Sequence, residues 1–168
     1  MRKLRPAVLA VGVMIAFVAP ASAEDVVTAH RLSAGLASEA VTEAVAACAK
    51  QGYKITAAIV DYDGVEQALL RGDGAMMTTI DAARDKAYTA LTLGRNDNSS
   101  GAFAKRVGDT PSAGGLVKLP HVLAAQGGLT IRFHDEAIAA IGVGGAPGGD
   151  LDEGCAKAGV DKISARLK

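Results

Sequence analysis

Between Gly127 and Glu153 the chain reads GGLTIRFHDEAIAAIGVGGAPGGDLDE. Two apolar segments, residues 129–133 and 137–143, stand three residues apart across His134-Asp135-Glu136. Parallel strands need a crossover of about a dozen residues or more, so these two can only fold back as an antiparallel hairpin. Four glycines follow, a fifth (Gly142) standing inside the second segment, and then an acidic segment, Asp150-Leu-Asp-Glu153, whose spacing fits a capping box at the start of a helix over residues 150–167. Leu151, Cys155, Gly159, Ile163 and Leu167 supply that helix's apolar stripe.

The same grammar occurs once more upstream. Residues 54–61 and 65–71 are strand-like, and Asp63-Gly64 between them is a hairpin signal, since glycine accepts the positive φ such turns require. Arg71-Gly72-Asp73-Gly74 then breaks the second strand; its RGD triplet reads as a turn. A helix over residues 33–51 precedes this pair, with Ser33 as its cap, Gly52 as its stop, and Leu36, Ala40, Val41, Ala44, Val45 and Cys48 in one stripe. A second helix follows over residues 76–94, with Met76, Ile80, Ala83, Ala87, Ala90 and Leu91 facing inward. Residues 96–115 form a polar Gly/Ser-rich break holding a short helical piece over 99–107. Residues 116–126 are apolar and interrupted by Pro120, with no regular element assigned. The order helix, two strands, helix, loop, two strands, helix indicates an α+β fold, an antiparallel sheet with helices packed on it.

The N-terminus reads as an export signal. Arg2, Lys3 and Arg5 precede an apolar run of eleven residues, 8–18, and Ala21-Ser22-Ala23 offers a cleavage site. Eleven residues are too few to span about 30 Å of hydrocarbon. Residues 1–23 are therefore expected to be removed, leaving one domain over 24–168 in the periplasm or outside the cell, with no membrane attachment in the mature form. That domain carries 18 − 3 = 15 Lys+Arg against 18 Asp+Glu. A mildly acidic surface gives nucleic acid or anionic lipid nothing to hold. In an oxidising compartment the two cysteines, Cys48 and Cys155, can form one disulfide; two buried thiols on helix stripes remain the alternative.

Tests for chemistry return little. No G-x-S-x-G occurs, and His30, His121 and His134 lack zinc-site spacing. Glu39 and Glu43 read as a solvated helix face. The glycine loop lies where phosphate loops lie, but it has neither G-x-G-x-x-G nor G-K-[ST]. Asp150, Asp152 and Glu153 at the following helix start would repel a phosphate. Close backbone packing or a subunit contact is the expected role of these glycines.

Several pieces resemble one family in order: Ala57-Ala58-Ile59-Val60-Asp61 with Gly64, Arg71-Gly72-Asp73-Gly74-Ala75, Asp85-Lys86-Ala87-Tyr88-Thr89-Ala90, Gly127-Gly128-Leu129 and residues 141–150, with Asp152-Glu153 and Cys155-Ala156. They are similar to the GlcG/HbpS family, the heme-binding-protein-like domain also found at the C-terminus of PduO-type proteins. The resemblance implies a profilin-like domain that assembles into homo-oligomers. Exported members bind heme and are linked to heme or iron sensing, while cytoplasmic ones accompany glycolate or diol metabolism. Two departures stand out. Thr130 replaces the family's proline after Gly-Gly-Leu, and the iron-binding Glu-x-x-Glu of some exported relatives is missing, because Glu39 and Glu43 are four apart.

The resulting expectation is an exported, non-enzymatic heme-binding or heme-sensing domain. The alternative is an accessory protein for a small hydroxy acid or diol, with a sensor or an oxidoreductase as partner. Heme needs an apolar slot and usually an axial His, Met, Cys or Tyr. His121, in the apolar LPHVLAA segment, is the candidate iron ligand; Met76 and Met77 are others, and Tyr88 and Thr89 could line a pocket. A subunit interface without a strong ligand is a further way to hold heme.

Overall fold

Each of the two sequence-local hairpins forms, and they join side by side. A computed structural model describes residues 27–167, so the expected signal segment lies outside the described residues. Strands β1 (Thr56–Asp61) and β2 (Glu66–Arg71) pair antiparallel, as do β3 (Gly128–Phe133) and β4 (Glu136–Gly144). β1 then pairs antiparallel with β4, giving one four-stranded sheet in the order β2-β1-β4-β3. At the first turn Gly64 has φ +79°, and the Asp61 side chain accepts hydrogen bonds from the Asp63 and Val65 amides. The two central strands are buried on both faces, which explains their unbroken apolar content rather than alternation.

Helices cover both faces. Helix α1 (Ala34–Ala49), capped by the Ser33 hydroxyl, and helix α4 (Gly149–Ser164) pack on one side. Ile59, Ile131, Ile141 and Val143 meet Ala40, Ala44 and Ile163 there. Helix α2 (Thr78–Thr92) covers the other side, where Val60 and Ala140 meet Ala87, Ala90 and Leu91. Cys48 on α1 and Cys155 on α4 form a disulfide with Cα atoms 5.6 Å apart, closing a separation of 107 residues.

Glycines bring α2 onto the sheet at backbone distance. A Cβ on Gly142 would lie 2.0 Å from the Ala83 carbonyl oxygen, and one on Gly128 would lie 2.2 Å from that of Lys86. Their place in the sequence therefore reflects helix–sheet contact, as expected of close-packing glycines.

Four expectations are corrected. Met76 does not belong to the buried stripe of α2: the helix starts at Thr78, and its inward face runs through Thr79, Ala83, Lys86, Ala87 and Ala90, leaving Met76 71% exposed. The helical piece expected over 99–107 forms as helix α3 (Ser100–Asp109), capped by Ser99, but the rest of the polar break is ordered too, as a 3-10 helix over Pro111–Lys118. The start of the unassigned apolar segment thus falls in that 3-10 helix. Finally, Asp150 is not the cap of α4; Gly148 is, without a side-chain hydrogen bond.

Candidate functional site

One flank of α2 carries Asp85, Tyr88 and Thr92 toward solvent and the buried Thr89 beside them, at spacings of three and four, so they form one stripe. The segment after the 3-10 helix lies along it. Leu119 is extended, as a residue before proline should be, and a turn follows at Pro120 and His121. His121 then adopts φ +62°, a left-handed conformation uncommon outside glycine and enriched in His, Asn and Asp. Two buried hydroxyls hold this segment down. Thr89 Oγ1 accepts from the Leu123 amide at 2.9 Å. Ser100 Oγ donates to the Ala125 carbonyl at 2.7 Å and accepts from the Gly128 amide at 2.9 Å.

Between helix and segment lies an open groove of about 250 Å³. Leu93, Leu119, Pro120 and Val122 make its apolar wall, and Tyr88 and His121 bring the ring systems. The two rings sit edge to face, 5.9 Å between centroids. His121 Nδ1 lies 3.3 Å from Asp85 Oδ1, and the Arg84 guanidinium approaches the same oxygen at 3.7 Å. Thr92 also lines the groove, its hydroxyl donating to the Tyr88 carbonyl at 2.7 Å.

The structure thus brings His121 and Tyr88 together and separates the other candidates from them. Thr89 is fully buried and ties down the loop instead of lining the groove. Met76 and Met77 sit at the opposite end of α2, eleven residues or about 16 Å from Tyr88 for Met77. Met76 borders a different groove, with Lys54, Gly74 and Pro147. Asp85 was visible only as part of a family motif, yet its spacing to Tyr88 and Thr89 on one helix face carried the signal.

A second polar pair lies inside the molecule. Lys86 Nζ and Asp152 Oδ2 are 2.6 Å apart with side chains 8% and 4% exposed, and Asp152 Oδ1 accepts from the Ala146 amide at 2.9 Å. Asp152 therefore joins α4 to α2 and to the glycine loop. It does not face solvent at the helix start, which corrects part of the electrostatic argument against phosphate. Glu153 is likewise engaged, by Ser99 Oγ and Gln126 Nε2. On the far side, Arg166 donates to Glu39 through both terminal guanidinium nitrogens.

Against this geometry the family assignment can be made. Residues 32–161 match the model of the family described as haem-degrading protein HbpS-like. The chain belongs to the HbpS-like family. A glutamate-to-aspartate double mutant of Streptomyces reticuli HbpS has a similar structure, at 34% identity and TM-score 0.75, covering 88% of this chain and 97% of that one. Klebsiella pneumoniae protein ORFY is similar at 20% identity and TM-score 0.79, over 86% and 99%. A PduOC:heme complex is similar at 21% identity and TM-score 0.71, over 80% and 96%. The last two likenesses establish shared architecture. No curated protein is matched by the sequence. The HbpS-like stretch takes in the whole sheet, the groove and most of α4.

Proposed function

We propose that the protein is an exported heme-binding domain that holds heme at the groove between the C-terminal half of α2 and residues 119–122, with His121 as the iron ligand. The observation carrying this reading is the imidazole of His121 on an apolar wall, beside an aromatic ring and with one nitrogen engaged by a carboxylate. These residues suit the group: porphyrin is flat and apolar, and iron accepts a neutral imidazole nitrogen. Bound there, heme would supply a redox-active, ligand-accepting iron. The chain's own residues supply the flat contact, the donor and its orientation. Membership of a family described by haem degradation supports the ligand class.

An open groove of this size covers only part of a macrocycle. Leu119 at 50% exposure and Val117 at 41% offer apolar surface near its rim, and a second copy of the chain covering the remainder accounts for the proposed homo-oligomer. The disulfide supports export, since such bonds persist in oxidising compartments. Cleavage after Ala23 would leave residues 24–168 as the mature domain.

Hemin titration tests the reading. The wild-type chain is expected to shift the Soret band at a defined stoichiometry, and His121→Ala to change the shifted spectrum. A free-hemin spectrum throughout the wild-type titration overturns it. The family's description favours one second reading, heme as substrate. Loss of the Soret band on adding reductant and oxygen, absent from a protein-free control, would establish it; a stable spectrum supports a non-enzymatic binder.

A further inference from the structure

The geometry points to Asp85 as the positioning residue of the groove, whose carboxylate fixes which nitrogen of His121 is offered to an incoming iron. This inference rests on the heme reading above for its functional meaning, but its structural content is independent of it. A carboxylate oxygen accepts hydrogen bonds and an imidazole nitrogen donates only when it carries hydrogen. The 3.3 Å contact between His121 Nδ1 and Asp85 Oδ1 therefore calls for the Nδ1–H form. In the neutral ring the remaining lone pair is then on Nε2, the nitrogen free to bind a metal. Carboxylate-held imidazoles are oriented and made more basic in this way.

Further features hold the same arrangement. Asp85 stands one turn before Tyr88 and Thr89 on a regular helix, so its carboxyl position is set by α2. Its side chain is 26% exposed against 57% for His121, which makes it the inner member of the pair. The His121 backbone is held at positive φ, and two residues later the Leu123 amide is tied to Thr89, so helix α2 fixes both the loop and the ring. Tyr88 meets the ring edge-on and limits its rotation. Arg84 also approaches Asp85 Oδ1, so Arg84 and His121 share one carboxylate oxygen.

The test combines a ligand-free and a ligand-bound measurement on the intact chain. Nitrogen-15 NMR of the apo protein is expected to show His121 with hydrogen on Nδ1, and a shift toward the Nε2–H form in Asp85→Leu. Asp85→Asn, which keeps an acceptor oxygen without the charge, is expected to lie between. Hemin affinity should fall in the same order, by about ten- to a hundredfold for Asp85→Leu. Restoring the carboxylate in Asp85→Glu should recover part of the loss. An apo tautomer population that is the same in all three variants as in wild type overturns the positioning role, and Asp85→Asn decides the same question if the leucine variant fails to fold. Wild-type protein with the Nδ1–H form but no change in the hemin spectrum supports the Asp85 hydrogen bond and overturns the heme reading instead.

Discussion

At the scale of single residues, two kinds of position carry the molecule. The buried Lys86–Asp152 pair illustrates the first. Both ions are out of water, and each is tolerable only because the other is present. Lys86→Met should leave Asp152 buried without its cation and lower stability by about 3–5 kcal/mol in a urea titration. The double variant Lys86→Met, Asp152→Leu should recover much of that loss; equal or additive losses would show that the pair is not coupled. Gly142 illustrates the second. Gly142→Ala drives a methyl toward the Ala83 carbonyl 2.0 Å away, so α2 must lift from β4. A loss of about 1–3 kcal/mol is expected, or outright misfolding. An unchanged melting curve would mean that helix and sheet separate without cost. The glycine spacing was legible in the sequence as close packing. Asp152 was not, because a carboxylate near a helix start reads as a dipole partner until a distant lysine is known to face it.

At the scale of elements, the α1–α4 layer has two clasps. The disulfide closes a separation of 107 residues, so Cys48→Ala with Cys155→Ala, or full reduction, should cost about 2–5 kcal/mol. Denaturant midpoints with and without reductant measure it, and superimposable curves would contradict a stabilising bond. The second clasp is Glu39 with Arg166. The guanidinium hydrogen-bonded to Glu39 holds its carboxyl below the ordinary value of 4.5. A depressed acid contributes stability above its unfolded pKa and loses it as pH falls through the folded value. The Tm difference between wild type and Glu39→Gln should therefore be present at neutral pH and shrink below about pH 4.5. A difference that grows in acid would reverse the assignment. Exposure on both partners keeps this effect small and salt-sensitive. Strands and long helices were readable because their patterns are local: Ser33 caps, Gly64 turns, and β-branched runs extend. The 3-10 helix and the site loop were not. Thr89 and Ser100 hold the loop across separations of 34 and 25 residues, and Pro120 acts within it, with no period to betray them.

At the scale of the whole molecule, two hairpins and three covering helices leave one end of α2 open. The family and the antiparallel α+β fold follow from motifs in order along the chain, and the structure has the expected sheet. Two residues of the proposed groove, His121 and Tyr88, were among the candidates the sequence offered. Met76 and Met77 pointed elsewhere because helix phase cannot be read reliably at a helix start. The central claim is that heme occupies the α2 groove. Iron(III) in heme is paramagnetic and broadens the NMR signals of nearby nuclei, so adding hemin to isotope-labelled protein maps the site directly. The account predicts selective broadening at Tyr88, Leu93, Leu119, His121 and Val122, with Met76, Lys54 and Pro147 unaffected. Broadening centred on the Met76 and Lys54 groove, or none at all, would contradict it.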